Sequence, residues 1–175
     1  DSFDIAEKNI NLKKNMVNKL NPDEQELLKD INFSNSKLFL KSLNSIYLTN
    51  GLRDLKRIED NKIDYLFSHS VIEHIRLSEI KSTIKEMYRI LSKDGVISHV
   101  IDFTDHFNCE LNHLRFSKNF WESKLISNSG FYTNRLSAIE IINLFLEEKF
   151  KISHKLLKRW TKKPIKLRNI HKDFS

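Results

Sequence analysis

The sequence is poor in the residues that form crosslinks and tight turns. Its 175 residues include one cysteine, Cys109, two prolines and three glycines. A single cysteine excludes an internal disulfide and is typical of a reducing compartment. The chain has no run of about eighteen apolar residues and no charged-then-apolar leader, so we expect neither a membrane span nor a signal peptide. These features favour a cytoplasmic protein, and the length favours one domain with a substantial core.

The excess of positive charge is confined to one segment. Of the 30 basic residues, eight lie in 155–172, which contains no acidic residue. The rest of the chain has 22 basic and 23 acidic residues, so its charges nearly balance. Such a segment can attract phosphate groups or a membrane surface. Trp160 is the single aromatic residue interleaved with these charges, which is a weak pattern for nucleic-acid binding. The alternative interpretation is an irregular, solvated segment.

The hydrophobic pattern alternates between helical and strand periods. Apolar residues spaced three and four apart are typical of helices, and short apolar or alternating runs are typical of strands. Strands separated by helix-length segments indicate crossover connections and a mostly parallel sheet, which is an α/β fold. Helices are predicted over 5–20, from Asn21-Pro22 onward, over 77–92 and over 137–149, and strands over 45–49, 63–68, 96–102 and 150–156.

Residues 63–103 carry the sharpest pattern. An apolar strand containing Asp64 leads into the turn Glu73-His74, a helix follows, and Gly95 precedes the next strand. The helix has a single apolar stripe, so we expect it to pack on one face of a sheet in which 46–49, 63–68 and 96–102 are adjacent and parallel. The stripe consists of Ile80, Ile84, Met87 and Leu91.

Another local signal lies before the last predicted helix. Ser137 and Glu140 have the spacing of a capping box, in which each side chain bonds the backbone amide of the other residue. Leu136 and Ile141 occupy the positions of a hydrophobic staple. A helix beginning at this point is therefore predicted.

The ordered series of motifs resembles the class I S-adenosylmethionine-dependent methyltransferases, between the fourth and fifth strands of their sheet. Two later segments, 131–137 and 169–174, resemble a subset of that family, so the resemblance covers roughly 46–175. It implies a three-layer Rossmann-like sheet, mostly parallel, and S-adenosyl-L-methionine as the cofactor. The matching residues are Asp64, Glu73-His74, Arg89-Ile90-Leu91 and Gly95.

The family's glycine-rich cofactor loop has no counterpart in the sequence. The glycines are Gly51, Gly95 and Gly130, and none forms a cluster. We therefore expect one partial methyltransferase domain over 1–175, incomplete at both ends, with 103–136 as a lid insertion over the substrate. We also expect this piece alone to bind the cofactor poorly.

The resemblance implies a set of cofactor-binding residues. Asp1 or Asp4 takes the place of the acid that binds the ribose hydroxyls, and Asp54 that of the residue near the adenine amino group. Ser68, His69 and Ser70 follow the fourth strand, at the sheet edge where ligands bind in open α/β folds. For each of these residues the alternative is an ordinary solvated or turn position.

The best acid–base candidates are Asp105 and His106. A hydroxyl acceptor must lose its proton during methyl transfer, and a histidine oriented by a carboxylate suits that task. The alternative is a surface pair, with catalysis by positioning alone. We expect no metal: His69 and His74 flank Glu73, but on a helix their imidazoles would lie about 140° apart.

The methyl acceptor is expected to be a small molecule or a glycan. The alternatives are a nucleic-acid-binding protein or RNA methyltransferase that uses residues 155–172, and a non-catalytic interaction scaffold. Nothing in the sequence predicts the oligomeric state.

Overall fold

The computed structural model describes residues 20–32, 34–108, 110–153, 155, 160–161 and 164–174. The chain divides into two compact units, residues 1–49 and 50–175. In the described part of the first unit, helices α1 (Pro22–Leu28) and α2 (Ser36–Ser42) form. Helix α1 begins where the sequence predicted it, whereas nearly all of the helix predicted over 5–20 lies outside the described residues.

The described residues of the second unit form two strands and a series of helices. In chain order these are α3 (Leu52–Leu55), β1 (Ile63–His69), α4 (Leu77–Ile90), β2 (Leu91–Val100), α5 (Lys118–Trp121), α6 (Lys124–Ser127) and α7 (Ala138–Glu147). Single 3₁₀ turns form at Ile72–His74, Asn112–Arg115, Leu167–Asn169 and Lys172–Phe174.

Strands β1 and β2 are adjacent and parallel, as predicted. Their register runs from Tyr65 beside Val96 to His69 beside Val100. Helix α4 connects them, since a parallel pair requires a crossover rather than a hairpin. The α/β fold with a parallel sheet is therefore confirmed.

Gly95 lies at an irregularity inside β2 rather than at the end of a helix. Ile63 pairs with Leu91 and Tyr65 with Val96, so β2 has extra residues at this point. A Cβ atom on Gly95 would lie 2.8 Å from Leu91 Cγ and 2.9 Å from the Ile63 carbonyl oxygen. The predicted end of the helix at residue 92 was wrong by two residues, because α4 ends at Ile90 and the chain enters β2 directly.

The core of the second unit lies between the sheet and two helices. Side chains on one face of α4 and α7 pack against Leu66 and Ile97 from the inner face of the sheet. On the opposite face, Tyr65 and Phe67 are 59% and 71% exposed. Within the described residues, then, helices cover one face of the parallel pair. The buried core residues are Ile72, Ile80, Ile84, Met87, Ile141, Phe145 and Phe150.

The start of α7 confirms the predicted capping box. Ser137 Oγ accepts a hydrogen bond from the Glu140 amide at 3.3 Å, and the Glu140 carboxylate accepts from the Ser137 amide at 2.7 Å. Ile141 is buried and Leu136 packs against the same core, as expected for a hydrophobic staple.

Two of the predicted strands are wrong. Residues 45–49 form no strand, and Ile46, Tyr47 and Leu48 are 85%, 55% and 47% exposed. Residues 150–153 also lack strand structure, and 154 and 156 lie outside the described residues. A strand needs a neighbour for its backbone groups, and the sheet of the described residues pairs only β1 with β2.

Candidate functional site

The turn that follows β1 is tied to both β2 and the segment before α7. The Glu73 carboxylate accepts from the Asp102 amide at 3.1 Å, just beyond β2, and the Glu73 carbonyl accepts from the Asn134 amide at 2.7 Å. The Asn134 side chain donates to the carbonyls of Ile72 and Ile75 at 2.8 and 3.1 Å. These bonds fix the turn above the carboxyl end of the sheet.

Two histidines meet at this turn. His74 Nδ1 lies 2.8 Å from the Tyr132 carbonyl oxygen, and His74 Nε2 lies 3.2 Å from His106 Nε2. The two rings are within 9° of parallel, and their centroids are 4.9 Å apart. The predicted catalytic histidine therefore has a second imidazole as its partner.

Asp105 anchors its own loop and does not orient the imidazole of His106. Its carboxylate accepts from the amides of Phe107 and Asn108 at 2.9 Å each and from the amide of Asn112. The side chain is 1% exposed. Burial acts to raise the pKa of this carboxyl, but the hydrogen bonds from these amides outweigh burial and the pKa is lowered. The structure therefore shows Asp105 in a structural role within its loop, and a catalytic role for this residue stays an untested prediction.

The three residues predicted to line the cofactor lie at the carboxyl end of β1. Ser68 Oγ is 2.7 Å from His99 Nδ1 on β2. His69 is exposed, and Ser70 has a φ of 52°, with its amide donating to the Val100 carbonyl at 2.9 Å. A non-glycine residue in the left-handed region is a feature that clusters at ligand sites. These polar groups at the sheet edge fit a nucleoside cofactor, and contact of Ser68, His69 and Ser70 with it stays a prediction.

Asp54 is buried rather than exposed on a turn. Its carboxylate accepts from the Asn50 amide at 2.8 Å and from the Asn50 side chain at 3.0 Å, and Arg57 lies 3.4 Å away. These bonds hold the entry into α3, and adenine recognition by Asp54 stays a prediction. Asp1 and Asp4 lie outside the described residues.

A cavity of about 390 Å³ opens beside this turn. Glu73, His113, Thr133 and Arg135 line it, and each has a buried polar atom without a hydrogen-bond partner. Burial lowers the pKa of His113 to about 4, so this imidazole is neutral at neutral pH.

Sequence reasoning assigned no role to several of these residues. Asn134 and Arg135 belong to the segment that resembles the family subset, and this resemblance was the one signal available for them. His113 stands in a stretch without periodicity, so nothing in the pattern predicted its burial at 3% exposure.

Two further findings concern the described part of the chain. No group of three or more histidine, cysteine, aspartate or glutamate side chains is arranged to hold a metal ion there. None of the helices described is both long and apolar enough to cross a bilayer.

Comparison with known proteins identifies the family. A family model described as a methyltransferase domain matches residues 4–98, which is more than half of the chain. No curated protein and no solved structure matches the chain. The matched range includes β1, the Glu73-His74 turn, α4 and most of β2. The chain therefore belongs to the methyltransferase domain family, the class I enzymes that use S-adenosyl-L-methionine as methyl donor.

Proposed function

We propose that the protein transfers a methyl group to a hydroxyl of a small-molecule or glycan-type acceptor, with His106 as general base. The observation that carries this proposal is the chain of contacts from the Tyr132 carbonyl through His74 to His106. The three groups place a histidine of defined tautomer beside the carboxyl end of the sheet.

The tautomers follow from the partners. A carbonyl oxygen only accepts, so His74 Nδ1 carries the hydrogen, and the lone pair of a neutral His74 is on Nε2. His106 Nε2 is then the donor in the contact between the two rings. The lone pair of a neutral His106 is therefore on Nδ1, which is the nitrogen available to take a proton.

The chemistry requires one proton acceptor. S-adenosylmethionine supplies a methyl group on a sulfonium centre, which is already electrophilic. The bond between that methyl carbon and the sulfur would break as the acceptor oxygen bonds to the carbon, and the sulfur would leave as a neutral thioether with the electron pair. The proton of the acceptor hydroxyl would pass to His106 Nδ1, and the imidazole would become positively charged. His74 Nε2 accepts from the His106 N–H and so stabilises this charge, since hydrogen bonds from ionised donors are the stronger ones.

The packing of the end of the basic segment, residues 155–172, supports a small acceptor rather than a nucleic acid. Ile165 is 8% exposed, the His171 amide donates to the Leu114 carbonyl at 2.9 Å, and the Phe174 ring lies 4.7 Å from Arg135 Cζ. These described residues of the segment and of the helical turn at its end fold onto residues within 101–137, beside the cavity.

The test is a comparison of turnover and cofactor binding in the full-length protein. We expect His106→Ala to lower kcat about 10²–10⁴-fold, the usual loss for a general base, while the cofactor Kd changes little. His74→Phe keeps a flat ring but removes both nitrogens, so its kcat should fall less than that of His106→Ala. Near-normal turnover of His106→Ala would contradict the proposal and leave catalysis to positioning.

A further inference from the structure

Several residues that line the cavity beside the Glu73 turn have a buried polar atom without a hydrogen-bond partner. Its lining includes residues 102–104, which lie between the end of β2 at Val100 and His106. Four of the lining residues have buried atoms without hydrogen-bond partners, namely Glu73 Oε2, His113 Nδ1, Thr133 Oγ1, and Nε and Nη2 of Arg135. Nearly all buried polar groups in folded proteins are paired, so such a cluster in one cavity needs an explanation.

Arg135 is held in an unusual position. Its guanidinium carbon lies 5.1 Å from the Trp121 ring and 4.7 Å from the Phe174 ring, and Nη1 donates to the carbonyls of His113 and Phe116 at 3.2 and 2.9 Å. Its backbone φ is 61°, in the left-handed region that costs energy for a non-glycine residue. Aromatic and backbone contacts thus fix the orientation of the guanidinium.

The orientation leaves one edge of the guanidinium without a partner. Nε and Nη2 lie on the same edge, and their hydrogens point in the same direction, which suits two oxygens of one carboxylate or phosphate. The charges of Glu122 and Asp173 act on Arg135, but no ion pair among the described residues includes it. Burial lowers the pKa of Arg135 to about 10, so the side chain is cationic at neutral pH. A buried and unpaired charge is costly.

We propose that the cavity binds a small molecule that bears both an acidic group and hydroxyls, with the acidic group on the Nε–Nη2 edge of Arg135. Glu73 Oε2, Thr133 Oγ1 and His113 Nδ1 are then the partners of the hydroxyls. That this molecule is the methyl acceptor rests on the proposed function, because the cavity lies next to the loop that carries His106. The anion site itself does not depend on that reaction.

The experiment measures anion binding without methyl transfer. Acetate and inorganic phosphate are titrated into the full chain at constant ionic strength, with neutral acetamide as the isosteric control for acetate. The readout is the fluorescence of Trp121, against the guanidinium, and of Trp160, in the cavity lining. We expect a saturable change with an anion and none with acetamide. A tighter response to acetate assigns a carboxylate on the ligand, and a tighter response to phosphate assigns a phosphate ester.

Matched variants identify the residue responsible. Arg135→Gln removes the charge and should weaken the anion Kd at least about tenfold, whereas Arg115→Gln removes an equal charge from an exposed neighbour and should bind as the wild type does. Arg135→Lys keeps the charge without the planar edge and should also weaken binding. If a thermal melt shows that Arg135→Gln is unfolded, the anion affinity of Arg135→Lys and the acetamide control decide whether Arg135 binds the anion.

Two results would overturn the anion site. One is the lack of a saturable response to either anion in the wild type, and the other is equal anion affinity in the wild type and a folded Arg135 variant. Neither result bears on the turnover of His106→Ala, so this inference and the proposed function fail separately.

Discussion

The strand–helix region, residues 63–100, and the loop region, residues 101–137, are stabilised in different ways. In the strand–helix region, backbone bonds within α4 and between β1 and β2 satisfy the main chain, and an apolar stripe supplies the core. In the loop region, the helices α5 and α6 have four residues each, and side chains satisfy much of the backbone. Asp105 binds the amides of its own loop, and Asn134 binds the carbonyls of the turn after β1.

The loop region also has its own aromatic centre. Trp121 is 1% exposed, its Nε1 donates to the Thr133 carbonyl at 2.7 Å, and the rings of Phe107 and Phe116 lie 6.1 and 5.6 Å away. Both His106 and Arg135 belong to this region. The comparison indicates that the strand–helix region supports the candidate site, whereas the loop region supplies the residues of its proposed chemistry.

The largest expected effect is on the core of the strand–helix region. Ile84 on α4 is completely buried, so Ile84→Asp places an unpaired charge among apolar side chains. We expect the free energy of unfolding to fall by about 3–5 kcal/mol, measured by urea denaturation. Ser82→Asp puts the same charge on the exposed face of α4 and should change stability by less than about 0.5 kcal/mol. Equal losses in the two variants would contradict the one-sided packing of α4.

The second prediction concerns acid stability, to which each region contributes one histidine. Burial lowers the pKa of His99 on β2 and of His113 in the loop region to about 4 in each case. The unfolded chain therefore binds more protons than the folded chain between about pH 6.5 and 4. The stability that these neutral histidines provide is complete above pH 6.5 and is lost as the pH falls toward 4.

This acid loss can be measured by urea denaturation at several pH values. Each histidine contributes a slope of up to about 1.4 kcal/mol per pH unit. For His113, the charge of Asp105 opposes the lowering of the pKa, and those of Arg135 and His106 add to it. His113→Gln should reduce the slope by up to half, leaving the contribution of His99. A free energy of unfolding that stays constant from pH 7 to 4.5 would show that neither imidazole is desolvated.

The smallest expected effect contrasts one glycine from each region. A Cβ on Gly95 in β2 would lie 2.9 Å from the Ile63 carbonyl, whereas nothing lies within 4 Å of a Cβ on Gly130 in the loop region. Gly95→Ala should therefore lower the free energy of unfolding by about 1–3 kcal/mol through overpacking. Gly130→Ala should be nearly neutral. If Gly130→Ala were the more damaging of the two, the close approach of β1 and β2 at the irregularity would be in doubt.

Rules based on short sequence spacing predicted the elements that depend only on residues close together in the chain. The stripe on α4 and the capping box of Ser137 and Glu140 depend on residues three and four apart, so their positions follow from short-range spacing. The parallel pairing of β1 with β2 follows from the crossover length. The same rules failed at residues 45–49, because a strand-like sequence becomes a strand only when a neighbouring strand pairs with it.

The place of the candidate residues in the fold was predictable, but their contacts were not, and their functional roles stay predictions. Strand ends in an α/β sheet define where ligands bind, so Ser68, His69, Ser70 and His106 could be singled out in advance. The roles of Asp105 and His74 could not, because the amides that bind Asp105 and the carbonyl that binds His74 come from backbone conformations of an irregular loop.

The sequence by itself determined the family, the α/β class, the helix α4 and the cap of α7, since each depends on residue types at fixed, short spacing. Only the tertiary structure decided that His74 and His106 meet, that Arg135 lines a cavity, and that one edge of its guanidinium has no hydrogen-bond partner. Residues 74 and 106 are 32 positions apart, and Arg135 lies between rings from positions 121 and 174. Contacts over such separations depend on how the whole loop region packs, and no local periodicity encodes that packing.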